Sequence, residues 1–141
     1  MLKIKSKSLK TALLMSCFGF IASNAFCGGT ISGTVDVTMP KYKKDAVVYL
    51  KGFKAAPQKA VMDQKNLVFL PHVLAVAPGS TVEFINSDKV NHNIFSADAC
   101  KKFNLGTYNP GMSKSILFDK PCVVNLLCNV HSEMSAYVVV T

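Results

Sequence analysis

Near the C-terminus, Cys128, His131 and Met134 follow at three-residue intervals in the run Cys128-Asn129-Val130-His131-Ser132-Glu133-Met134. A thiolate, an imidazole and a thioether therefore share one short loop. A second imidazole, His92, lies 36 positions before Cys128 in Asn91-His92-Asn93-Ile94. Two imidazoles and one thiolate, with a more distant thioether, are the donor set of a blue-copper centre. Soft sulfur suits Cu(I) and imidazole suits both oxidation states, so one electron can come and go with little rearrangement. A lone Cys-x2-His pair carries little weight; the complete set in a β-rich chain is specific.

Other chemistries fit these residues less well. Zinc would need a tetrahedral set such as His92, Cys122, Cys128 and His131. Cys122 and Cys128 fall on one strand-like run, however, about 20 Å apart at roughly 3.3 Å per residue, too far to share an ion. A c-type haem needs Cys-x-x-Cys-His, which is absent. Cys128 and His131 also resemble a Cys-His nucleophile pair. That reading leaves His92 and Met134 without purpose, and four protein donors leave no open position for a substrate. No enzyme is expected.

The elements that must position these donors read as short strands between turn signals. Ile31, Gly33, Val35 and Val37 alternate with Ser32, Thr34 and Asp36, and Ala46 to Leu50 is a second apolar run. Leu67 to Val76 is interrupted by Pro71, which predicts an edge strand or a change of direction there. Further strands are predicted at Thr81 to Ile85, His92 to Phe95, Ser115 to Phe118, Val123 to Leu127 and Ala136 to Val140. About eight strands spaced near ten residues predict an all-β, antiparallel sandwich or barrel. Phe53 to Asn66 reads as a loop with a helical turn, and Ser96 to Asn109 as irregular. On this reading Cys128 ends a buried strand while His92 arrives from a neighbouring one, so strand pairing forms the site before any metal arrives.

The His92-Asn93-Ile94 run, the Cys128-x2-His131-x2-Met134 loop and the strand order resemble the cupredoxins, the plastocyanin and amicyanin group. The loop length matches the amicyanin pattern best, and the resemblance runs from about Gly29 to Thr141. It implies a Greek-key β-sandwich of about eight strands with one type 1 copper ion at one end. Its implied ligands are His92, Cys128, His131 and Met134. It further implies that Asn93 ties the two ligand-bearing segments by hydrogen bonds and steadies the sulfur. His131 would be the exposed ligand and electron port, with Phe69-Leu70-Pro71 as the apolar run beside it. Glu133 between two ligands, and Asn129-Val130 in place of amicyanin's proline-containing pair, depart from the pattern; potential and colour do not carry over. The segment before Val61 also matches small plastocyanins poorly.

Residues 1–25 read as a cleavable secretory leader: Lys3, Lys5, Lys7 and Lys10 precede a 12-residue apolar stretch, then Ser23-Asn24-Ala25. The stretch is too short for a membrane span, and Leu14-Met15-Ser16-Cys17 is only a weak lipobox. Periplasmic export follows as the expectation, with residues 26–141 as one domain of 116 residues. That domain carries 12 lysines, no arginine and 8 acids, a net charge of +4. Without arginine or an aromatic-basic platform, nucleic acid is excluded as a partner. The lysine excess, including Lys43-Lys44 and Lys101-Lys102, suits either an acidic redox partner or a plain solvated face. If Cys128 binds metal, Cys100 and Cys122 are left as a disulfide pair, although connectivity stays open from sequence and Cys27 stands at the margin. His72 reads either as a hydrogen-bonded or exposed strand histidine or as an auxiliary copper group. Met62 reads as core and Met112 as surface or packing. The expected function is a monomeric one-electron carrier between redox proteins; the alternative is copper tolerance, buffering or delivery.

Overall fold

A computed structural model describes residues 3–5 and 30–141. The chain divides into two units, Met1–Lys44 and Asp45–Thr141. In the first, β1 (Lys3–Lys5) pairs antiparallel with β2 (Ser32–Thr34), Ile4 opposite Gly33. Apart from β1, the stretch read as a leader lies outside the described residues, as do Cys17 and Cys27. The strand predicted from Ile31 to Val37 shortens to β2. The one predicted at Ala46 to Leu50 does not form, and Val48, Tyr49 and Leu50 are exposed. Apolar composition signals burial, but a strand persists only where a neighbour pairs with it.

The second unit holds nine strands in two sheets. They are β3 (Lys59–Lys65), β4 (Val68–Leu70), β5 (Val73–Val76), β6 (Ser80–Asn86), β7 (His92–Ser96), β8 (Phe103–Tyr108), β9 (Ser113–Phe118), β10 (Cys122–Leu127) and β11 (Ser135–Val140). One sheet has the order β4-β3-β6-β9, the other β5-β11-β10-β7-β8. The expected all-β sandwich is present. Two neighbour pairs, β3 with β6 and β5 with β11, are parallel, so the sheets are mixed and not purely antiparallel. Pro71 sits where the chain leaves the edge strand β4 of one sheet for the edge strand β5 of the other. A residue without an N–H to donate is tolerated at such an edge.

Two segments read as irregular contain strands. In β3, Met62 and Gln64 are buried between the outward Val61, Asp63 and Lys65. The period of two is there, but a glutamine on the inward face hides it from a hydrophobic reading. In β8, only Tyr108 is buried, and Gly106 at φ 68° breaks the alternation. Between the sheets, Phe69, Phe84, Phe118, Met62, Val82, Ile94, Val124, Leu126 and Val138 form the dry core. Met62 is core, as expected, and Met112 is exposed.

Candidate metal centre

β10 ends at Leu127, which lies opposite Phe95, the fourth of the five residues of β7; the pair is antiparallel, so the chain beyond Leu127 heads back towards His92. Cys128 follows at once, 4% exposed, and His92 opens β7 fully buried. Alternation alone would bury every second residue of β7, yet His92, Asn93 and Ile94 are buried in succession. The β7–β8 ladder beside them carries a bulge, where Asn93 pairs with Thr107 but Phe95 with Asn104. Leu105 and Gly106 thus face Ile94 alone. Such an extra residue re-aims neighbouring side chains, and Gly106 supplies the positive φ it needs.

Between β10 and β11 the chain turns tightly, the N–H of Met134 donating to the carbonyl of His131 at 3.1 Å. The turn leaves His131 partly exposed and sends Met134 inward, 1% exposed, into the same core cluster as Cys128. One nitrogen each from His92 and His131 and the sulfur of Cys128 lie within 4.8 Å of one another. The Nδ1 atoms of the two rings face each other at 3.1 Å. Two nitrogens each bonded at about 2.0 Å to one ion lie no more than about 4 Å apart, and this pair meets that limit. The donor types, borderline nitrogen with soft sulfur, fit copper. His92, Cys128 and His131 are thus brought together, and Met134 is buried in the core cluster that includes Cys128.

A further layer surrounds the donors. The backbone N–H of Asn93 points at the Cys128 sulfur at 3.5 Å. The Asn93 side chain does something else: its Nδ2 donates to Asn104 Oδ1 at 2.8 Å, and that oxygen also accepts the N–H of Gly106. Its main chain therefore reaches the sulfur, while its amide is spent on the bulge. On the far side of His92, Nε2 lies 3.2 Å from Asp88 Oδ2. The Asp88 carboxyl is held below the ordinary aspartate value, chiefly by the N–H of Leu67 and then that of Lys89. Opposite His92 in the ladder stands Tyr108, whose hydroxyl accepts from Gln64 Nε2 at 2.5 Å and donates to the Phe84 carbonyl. Burial pushes its phenol up to about 12.

The other residues singled out in the sequence separate from the cluster. Cys122 is disulfide-bonded to Cys100, which settles that pairing and removes Cys122 from any zinc set. His72, in the bend between β4 and β5, lies 3.4 Å from Asp45 and sits edge-on to Tyr137. Phe69 is core and Leu70 exposed. Sequence reasoning did not reach Asp88, Asn86 or Asn104. The polar run Asn86-Ser87-Asp88, ending four residues before His92, was the available signal for the first two.

Two imidazoles and a thiol at one end of a two-sheet β-sandwich define a copper-binding domain of the cupredoxin class. A family model, copper binding proteins of the plastocyanin/azurin family, matches residues 56–141. The chain belongs to that family, whose cofactor is copper. No curated protein sequence matches it. Among solved structures it is similar to a purple cupredoxin from Nitrosopumilus maritimus, with 26% identity and a TM-score of 0.53 over 58% of this chain and 99% of that one. An amicyanin from Paracoccus versutus aligns at 19% identity and TM-score 0.55, covering 58% of this chain and 80% of the other. A copper-containing nitrite reductase from Thermus scotoductus gives 23% and 0.56 over 68% of this chain but only 25% of the enzyme. The last two likenesses are of fold.

Proposed function

We propose that this protein is a type 1 copper protein carrying single electrons between redox proteins; His92, Cys128 and His131 would hold the copper, with the thioether of Met134 as a weaker donor. One observation carries the reading: two ring nitrogens 3.1 Å apart beside a buried thiol, on β7 and on the loop that joins the paired strands β10 and β11. Copper held there supplies a one-electron couple. The chain's own groups do the rest. The sandwich resists movement between oxidation states, the N–H of Asn93 steadies the sulfur, and burial of His92, Cys128 and Met134 keeps water out. His131, partly exposed beside the exposed Val130, is the face offered to a partner. Four protein donors leave no room for substrate, so the reading is a carrier and not an enzyme.

The leader at residues 1–25 would direct export to the periplasm and leave 26–141 as the working domain. The Cys100–Cys122 disulfide supports an oxidising compartment. The lysine excess suits an acidic partner surface, and a monomer suffices. Among the described residues no helix is long and apolar enough to cross a membrane.

The test is copper loading of the purified chain. The oxidised protein should show the intense visible thiolate-to-copper(II) absorption of a blue site, and Cys128→Ser should abolish it. Colour that survives that substitution would refute the assignment. Fast electron self-exchange would mark a carrier; sluggish exchange, with copper readily lost to a chelator, would mark buffering or delivery instead.

A further inference from the structure

Lys114 stands on an unusual face of its strand for a charged residue. Along β9, Lys114, Ile116 and Phe118 alternate with the exposed Ser113, Ser115 and Leu117, and Lys114 is paired with the fully buried Phe84 of β6. Paired residues of an antiparallel ladder share a face, so this side chain sets out towards the core. Its half-buried stem carries the ammonium across to the other sheet. There Nζ lies 5.2 Å from the centroid of the Tyr108 ring and donates to the carbonyl of Leu105 at 2.5 Å. It also stands 3.9 Å from where a Cβ on Gly106 would be. β9 and β8 are edge strands of different sheets, and the lysine is a strut between them.

What the strut holds is the bulge. Leu105 and Gly106 have no partners of their own in the β7–β8 register, and the extra residue of a bulge is left out of the ladder bonding. Two side chains make good the loss. Lys114 takes the Leu105 carbonyl, and Asn104 Oδ1 takes the Gly106 N–H at 2.8 Å. That same Asn104 oxygen accepts Asn93 Nδ2, also at 2.8 Å. Asn93 in turn directs its main-chain N–H at the Cys128 sulfur, 3.5 Å away. Tyr108, beneath the ammonium, is the residue paired with His92.

We propose that Lys114 is a positioning residue of the copper centre, although it belongs to the sheet that supplies no candidate ligand. Its ammonium pins the β8 bulge, and the bulge holds Asn93 so that its N–H stays on the Cys128 sulfur. Hydrogen bonding around that sulfur tunes the potential of a copper–thiolate centre. An N–H aimed at the sulfur draws electron density from it and favours Cu(I), so a slack bulge lowers the potential. A lysine serving only to keep the edge of β9 from pairing with another chain would leave the sulfur untouched. This inference rests on the copper reading of the site, and its test judges the two apart.

Amide hydrogen exchange in the metal-free full chain is the first measurement. Lys114→Met keeps the stem and removes the donors. It should speed exchange at Asn93 and Gly106 about 3- to 10-fold, as for the loss of one hydrogen bond, and leave core amides such as that of Val138 unchanged. Lys114→Arg, which restores a donor, should return both towards the wild-type rates. Exchange at Asn93 that matches the wild type in Lys114→Met overturns the proposal. So does a uniform acceleration that includes Val138, which marks a general loss of stability. After loading with a copper(II) salt, Lys114→Met should lower the potential and shift the thiolate-to-copper(II) band. Removing a positive charge by itself also lowers the potential, so the neutral change Asn104→Ala is the control. It breaks the same chain of bonds and should move potential and band in the same direction. A potential that falls in Lys114→Met but not in Asn104→Ala reduces the lysine to a distant charge and refutes the positioning role. Self-association of Lys114→Met with unchanged exchange would show a lysine that guards an edge and nothing more. A wild type that takes up no copper refutes the copper reading, while the metal-free exchange still judges Lys114. Should Lys114→Met fail to fold, Lys114→Gln is read in its place.

Discussion

Met134 and Tyr108 show how far a single side chain near the site answers to its surroundings. Met134 is buried in the core cluster with Cys128, so it packs whatever else it does. Truncation to alanine would mix a cavity cost of about 2–5 kcal/mol into any measurement. Met134→Leu conserves volume and should change stability by less than about 1.5 kcal/mol. Copper should stay bound with a shifted potential; complete loss of metal would show that the thioether is more than a weak donor. Tyr108 makes a different prediction. Its phenol is raised to about 12 by burial, against about 10 in an unfolded chain. The native form keeps its proton after the unfolded form has lost it, so this contribution to stability is present below about pH 10 and is lost as pH rises towards 12. An ultraviolet titration should show one late tyrosine step that Tyr108→Phe removes; its persistence would place the late phenol elsewhere.

The β7–β8 ladder is the element on which the site turns. The bulge sets two β8 residues, Leu105 and Gly106, against Ile94 alone, beside a stretch in which His92, Asn93 and Ile94 are all buried. Gly106 at φ 68° makes the bulge accessible, and an added Cβ would meet only the end of Lys114 at 3.9 Å. The obstacle to a side chain there is conformational and not steric crowding. Gly106→Ala should therefore cost about 1–2 kcal/mol, read as a lower midpoint in urea, and should loosen the Asn104–Asn93 bridge. A neutral result would mean that the bulge tolerates another geometry. The turn from β3 to β4 is tight in a related way, with Asn66 and Leu67 both at positive φ. Asparagine accepts that conformation readily and leucine does not; the Leu67 N–H is held by Asp88.

Across the whole sandwich, metal chemistry and covalent cross-linking sit at opposite ends of β10. Cys122 opens the strand and bonds Cys100, while Cys128 follows its last residue. Six residues of strand separate them by about 20 Å. The cross-link closes a loop across a sequence separation of 22, for which chain entropy suggests about 3 kcal/mol of stabilisation. The double variant Cys100→Ser/Cys122→Ser should lose about that much stability and keep the colour of the copper-loaded wild type. A changed spectrum would show that the two ends are coupled. Thiol counting on denatured, metal-free, unreduced protein should find Cys128 reactive, with Cys100 and Cys122 blocked.

The candidate donors and their order could be read from the chain because donor chemistry resides in residue type, and the three-residue spacing of Cys128, His131 and Met134 is local. Strands such as Thr81 to Ile85 and Ala136 to Val140 were legible for the same reason: their alternation lies within a few residues. β3 and β8 were not, since an inward Gln64 and a bulged Gly106 acquire meaning only from the strands beside them. Ala46 to Leu50 failed in the opposite sense, with strand-like residues that find no partner strand. Which nitrogen of His92 faces inward, that Asn93 reaches the sulfur through its main chain, and that Asp88 lies against the ring all depend on atoms from β3–β4, β7, β8 and β10 meeting. Such meetings depend on long-range pairing and on one extra residue in a ladder, and no local stretch of sequence encodes either.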